Sequence, residues 1–212
     1  INFSYKVQLN DLWSLDYQKA TCSFKGQDFS FTSYIDAYKD VLVIKLSKQI
    51  DYRIKMPKYF YQSLDNGGLS YPPYEEIKDG DFHIIKQRYD KNKTYSIVID
   101  KIDNNLYITI KKSQPIDKLK AYLMNYAENK DAYYKKHLKY WEYYFNESHI
   151  DTPEDEINEM YIKGEYFFAC NSRKKYPMTL HGVWTANNDK LPMWKADLHQ
   201  DINVQMSYDA YY

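Results

Sequence analysis

From about residue 20 to residue 111 the chain repeats one pattern: short runs of alternating apolar and polar residues, separated by polar breaks. Ala20 to Phe31 alternates through Cys22, Phe24, Phe29 and Phe31. The break Lys25-Gly26-Gln27-Asp28 predicts a hairpin. Asp40 to Leu46 contains Val41-Leu42-Val43-Ile44 and predicts a short buried strand. Phe82 to Arg88 and Tyr95 to Asp100 predict two more, the second with Tyr95, Ile97 and Ile99 on one face. Asp103-Asn104-Asn105 reads as a turn, and Leu106 to Lys111 as the returning strand. Short strands at this spacing predict an antiparallel sandwich over residues 1–115. Leu64 to Asp81, with Gly67-Gly68 and Pro72-Pro73, reads as a long loop.

The period then changes. Pro115 to Asn146 lacks glycine and internal proline, and Tyr126, Tyr133, Leu138, Trp141 and Phe145 recur at helical spacing. This predicts a helical linker over 116–150, broken near Asn129. Thr152-Pro153-Glu154-Asp155 predicts a helix start, with Thr152 as N-cap, Pro153 at the first helical position and the acids in the first turn. Ile157, Met160, Tyr161, Phe167 and Phe168 carry that helix to about Asn171. Residues 172–198 read as loop. A further helix is expected from Asp201, still running where the sequence stops at Tyr212.

Composition narrows the function classes. With 44% apolar and 27% charged residues a packed core is expected. A formal net charge of zero, with basic residues scattered among acids, argues against nucleic acid and anionic membranes as partners. No stretch approaches the ~18 apolar residues of a membrane span. Cys22 and Cys170 form no disulfide framework, and no histidine spacing suggests zinc. Twenty-five tyrosines against six glycines suit the recognition of polar, ring-shaped ligands, or a genome that uses Tyr where others use Phe or Leu.

Candidate chemistry gathers between Leu180 and Tyr208. Trp184 and Trp194 could stack on the apolar face of a sugar, and His181 and His199 could bond its hydroxyls. Asp201 and Asn203, at the start of the last helix, could position a water for attack at an anomeric carbon. The structural alternative makes Asp201 an N-cap bonding the amide of Asn203 or Val204, the tryptophans hydrophobic plugs, and the histidines structural. Arg173 follows a helix end, where it could fork onto a carboxylate or bond the last helix carbonyls. Phosphate loops, nucleophile elbows and Cys/His dyads are missing from the sequence.

Trp141 through Phe145, Ser148, helix 153–171, Ser172-Arg173, Leu180-x-Gly182-x-Trp184, Trp194 and Asp201-x-Asn203-x-Gln205-Met206-x-Tyr208 together resemble glycoside hydrolase family 95, the α-L-fucosidase group. The resemblance extends more weakly to residue 12, through the strand with Val41-Leu42-Val43-Ile44. It implies a β-sandwich, a helical linker and the first helices of an (α/α)6 catalytic barrel from residue 151. It also implies inverting hydrolysis of a terminal sugar, with carboxyl groups roughly 6.5–9.5 Å apart, and no cofactor. In the family two asparagines spaced i, i+2 assist the water. Here the first is Asp201 and the second Asn203, and the extra carboxylate could share the base role. Asp209-Ala210 stands where the family shows Trp-Pro.

The family's general acid and base fall beyond Tyr212. The expectation is therefore a fragment or one piece of a split enzyme, inactive alone and partnered by the remainder of the enzyme as a second chain. Such a fragment should expose the apolar face of helix 153–171. Trp184, Trp194, His181 and His199 would bind substrate. A secreted or periplasmic setting is an expectation of the family only. The competing expectation is a non-catalytic carbohydrate-binding or protein-interaction module with a helical tail.

Overall fold

The computed structural model describes residues 1–55, 72–173, 177–182 and 198–208. The described residues form two units, one of residues 1–55 and 72–149, the other of those from Ile150 onward.

The first unit is built on an eight-stranded antiparallel sheet. Its strands are β2 (Leu12–Asp16), β3 (Thr21–Lys25), β4 (Ser30–Ile35), β5 (Leu42–Leu46), β7 (Glu75–Asp79), β8 (Phe82–Asp90), β9 (Lys93–Ile102) and β10 (Asn105–Lys112). Their spatial order is β2-β3-β4-β5-β10-β9-β8-β7. Two short strands, β1 (Asn2–Phe3) and β6 (Tyr52–Arg53), pair as a second sheet. Alternation decides which residues face which way. Tyr34, Val43, Ile84, Val98 and Tyr107 share one face, where they meet Leu119, Leu123 and Tyr126. Phe24, Ile44, Leu46, Ile99, Leu106 and Ile108 point the other way, against Phe3 and Tyr52 of the small sheet. The result is a β-sandwich with a helix on its outer face. Each fully buried Ile or Leu contributes about 1.5–3 kcal/mol to holding it.

The helix on that face is α1 (Ile116–Glu128), and α2 (Lys130–Glu147) follows it after a break at Asn129. Leu119, Leu123 and Tyr126 recur at the spacing of one helical stripe, which is why α1 lies on the sheet. Tyr126 donates its hydroxyl to Asp36 Oδ2 at 2.9 Å, while Asp36 Oδ1 accepts the Tyr38 and Lys39 amides. This ties α1 to the β4–β5 turn. On α2, Tyr134 and His137 set their rings 4.8 and 4.9 Å from that of Tyr34. His137 Nε2 reaches the Lys19 carbonyl at 2.9 Å, and Trp141, one turn on, is buried. One buried group is poorly served: Asp100, 2% exposed, has no partner for Oδ2 among the described residues. Burial first, then the Asp81 carboxylate, pushes its pKa up.

The second unit contains α3 (Asp155–Ser172) and α4 (Ile202–Tyr208). Three apolar side chains of α3, Ile157, Met160 and Phe167, are 44%, 70% and 40% exposed, the open face expected of that helix.

Three local expectations are corrected. Residues 75–79, inside the expected loop Leu64 to Asp81, form edge strand β7. Its sequence Glu-Glu-Ile-Lys-Asp is exposed throughout, so it shows no apolar face to read. Strands β1, β2 and β6 were not foreseen either. Thr152 does not cap α3. The helix begins at Asp155 after Glu154, and Thr152 instead clasps Asn158: its amide donates to Asn158 Oδ1 at 2.9 Å, and Asn158 Nδ2 donates back to its carbonyl. Residues 64–71 of that expected loop and those past Tyr208 lie outside the described residues.

Candidate active site

Asp201 and Asn203 stand at the start of α4, both exposed. The Asp201 carbonyl accepts the amides of Val204 at 2.9 Å and Gln205 at 3.3 Å, which opens the helix. Its own amide donates to the His199 carbonyl at 2.9 Å. The side chain does not cap in the expected way. Oδ1 accepts the adjacent amide of Ile202 at 2.8 Å, rather than that of Asn203 or Val204. Oδ2 has no partner among the described residues, and neither does the Asn203 side chain. The Asn203 carbonyl accepts the Ser207 hydroxyl at 2.8 Å. One carboxylate oxygen and one amide group thus remain available at neighbouring positions.

The segment before His181 is held to α4 and α3 by specific contacts. Tyr208, on the last turn of α4, accepts the Met178 amide on its hydroxyl at 3.2 Å. Its ring meets Phe168 of α3 edge-on, with centroids 5.4 Å apart. Thr179 and Gly182 close a tight turn through Gly182 N–H to the Thr179 carbonyl, 3.0 Å, and Thr179 Oγ1 to the Gly182 carbonyl, 3.1 Å. Gly182 has φ +59°, and a Cβ there would lie 2.2 Å from Asn171 Oδ1. Only glycine fits this left-handed position beside α3. His181 is half-buried between Leu180 and this glycine, and its Nδ1 is buried without a partner among the described residues.

His199 is also half-buried and joins Asp201 through its carbonyl. Trp184 and Trp194, the expected stacking platforms, lie outside the described residues. The structure thus brings His199 and Asp201 together through the backbone and leaves Asp201 and Asn203 without a mutual side-chain bond. Cys170, on α3, has its thiol pushed up, chiefly by burial and against the lowering effects of Tyr166 and Arg173. A thiol so shifted is a poor nucleophile at neutral pH. Among the described residues no cluster of His, Cys, Asp or Glu is arranged to hold a metal ion, and no helix is long and apolar enough to cross a membrane.

Sequence reasoning missed the anchoring roles of Asn171 and Thr179. Gly182 was visible as a motif position, but the reason for it, an Asn171 side chain one element away, was not.

Residues 123–210 match the family model described as the glycosyl hydrolase family 95 catalytic domain. The match runs from within α1 to just past α4, so it spans the end of the first unit and the described elements of the second. Comparison with curated proteins yields no match. The family is one of glycosidases.

Proposed function

We propose that this chain supplies the water-positioning part of an inverting glycoside hydrolase that removes a terminal sugar, α-L-fucose or a relative. The observation that carries the reading is the match over 123–210, which includes Asp201 and Asn203. Asp201 has one oxygen engaged by the Ile202 amide and one open, so it can accept a proton from a water held at the mouth of α4. The Asn203 amide can hold the same water by donating to its oxygen or accepting its second hydrogen. Positioning of this kind lowers the entropy cost of attack at the anomeric carbon. His181, half-buried in the turn before Gly182, is assigned a sugar hydroxyl. His199, Trp184 and Trp194 complete the proposed sugar contacts.

Inversion needs a second carboxyl group to protonate the leaving oxygen. The reading assigns this acid, and the principal base, to residues other than those of this chain. The open Ile157, Met160 and Phe167 face of α3 suits a helix meant to pack against further barrel helices.

Two measurements test the proposal. The pure 212-residue chain should not hydrolyse aryl α-L-fucosides, and robust turnover would defeat the assignment of the acid elsewhere. In the enzyme with its barrel complete, Asp201→Asn should change kcat strongly with little change in KM. A capping role predicts unchanged kcat and a stability loss below about 1 kcal/mol, since Asn caps almost as well.

A further inference from the structure

The sheet unit holds a recess that the proposed reaction does not use. It lies between the segment entering β6 and the β7–β8 hairpin, and its volume is about 240 Å3. Asp51, Tyr52, Lys78, Asp81, Phe82 and Lys101 line it. A further recess of about 450 Å3 shares Asp81 and Lys101 with it and extends to Gln49 and Asp103.

Several lysines elsewhere on the unit sit in ion pairs. Lys48 pairs with Asp28, Lys86 with Glu75, Lys93 with Asp90, Lys111 with Asp40 and Lys120 with Asp79. Asp51, Lys78, Asp81 and Lys101 make no ion pair among the described residues, although all four line one cleft. Opposite charges that share a cleft without pairing leave their donors and acceptors free for a third party.

The wall behind them is fixed. The hairpin turns at Gly80, φ +59°, and the Lys101 amide donates to the Asp81 carbonyl at 3.2 Å, pinning the hairpin tip to β9. His83 is buried, its Nε2 lies 2.6 Å from Glu76 Oε1, and its ring sits 5.9 Å from that of Tyr52. A preformed wall reduces the ordering cost of binding.

The ligand class follows from the balance of the lining. An anion would meet the carboxylates of Asp51 and Asp81, and a cation the ammonium groups of Lys78 and Lys101. A hydroxyl both donates and accepts, so it can use all four, and the ring of Tyr52 offers surface to C–H groups. We propose that this recess is a non-catalytic binding site for a neutral pyranose, which would hold a glycan on the sheet unit. It does not depend on the roles given to Asp201 and Asn203.

The test is titration of the full chain with methyl glycosides of L-fucose, D-galactose and D-glucose, and separately with inorganic phosphate, followed by amide proton–nitrogen NMR. The expected result is saturable shifts at Gly80, Asp81 and Lys101 with at least one glycoside and none with phosphate. Asp81→Asn should weaken that binding by about tenfold, with the rest of the spectrum unchanged because Asn suits the same exposed turn. Asp201→Asn should leave it intact, which separates failure here from failure of the catalytic reading. Saturation by phosphate alone would make this an anion site and overturn the proposal. So would no response to any glycoside, or shifts confined to residues 177–182 and 198–208.

Discussion

Replacing Tyr126 by Phe removes one oxygen from the centre of the sheet unit and nothing else. The ring is 1% exposed, stacks on Tyr133 with centroids 5.0 Å apart, and lies 6.0 Å from Tyr107. Phe keeps all of these contacts. What goes is the donor to Asp36 Oδ2, on a residue only 5% exposed. The Oδ1 bonds to Tyr38 and Lys39 stay, so the β4–β5 turn keeps its shape and the lost interaction is isolated. A buried oxygen left without a donor costs about 1–3 kcal/mol. At about 2 kcal/mol the melting temperature should fall by roughly 4–8 °C for a domain of this size. Urea denaturation of the chain and the variant, read by far-ultraviolet circular dichroism, measures it. The denaturant slope should stay constant while the midpoint falls. The Tyr34 hydroxyl, buried without a hydrogen-bond partner among the described residues, is the obvious rescuer. A loss below about 0.5 kcal/mol in both the single variant and the Tyr34→Phe background would refute the reasoning. It would mean that Asp36 does not depend on the tyrosine.

Asp100→Asn should stabilise the sheet unit by about 1 kcal/mol at neutral pH, since it removes a buried charge whose Oδ2 has no partner among the described residues. The raised pKa means that Asp100 contributes stability below the ordinary carboxyl value of about 3.9 and loses it as pH rises through the raised value. A stability–pH profile should therefore be flatter in the variant, and an unchanged profile would count against the assignment. At alkaline pH the sign runs the same way: burial raises the phenols of Tyr52, Tyr107, Tyr122 and Tyr126 and pushes Tyr34 up to about 12. Their stabilisation is complete below about 10 and is lost as pH climbs from there through the raised values. Tyrosinate absorbance and loss of ellipticity should rise together, whereas early titration of these phenols with the fold intact would contradict their burial. Gly182→Ala should destabilise the second unit by at least about 1–2 kcal/mol from the left-handed backbone, with the Asn171 contact adding to it. Proteolysis of the segment around residue 180 should become faster, and an unchanged rate would show that the turn does not need glycine.

Local pattern alone determined much of this protein. The Lys25-Gly26-Gln27-Asp28 break does join β3 to β4, the helical stretch does break at Asn129, and Asp201 does stand at the mouth of the last described helix. Each depends on residues within a few positions of one another, and backbone preference and side-chain period act over that range. The resemblance over the last third was also legible, and residues 123–210 match the glycosidase family. Strand β7 was not legible, because an edge strand needs no apolar face and Glu75 to Asp79 shows none. Nor could sequence show how the Asp201 carboxylate bonds, since the choice between adjacent and later amides is set by geometry of a few tenths of an ångström. Only tertiary structure brought Tyr126 to Asp36, 90 residues away, stranded Asp100 in the core, or placed Asp51 and Lys101 around one recess. Such meetings depend on strand order and register, and these follow from the packing of the whole sheet unit rather than from any one segment's preference.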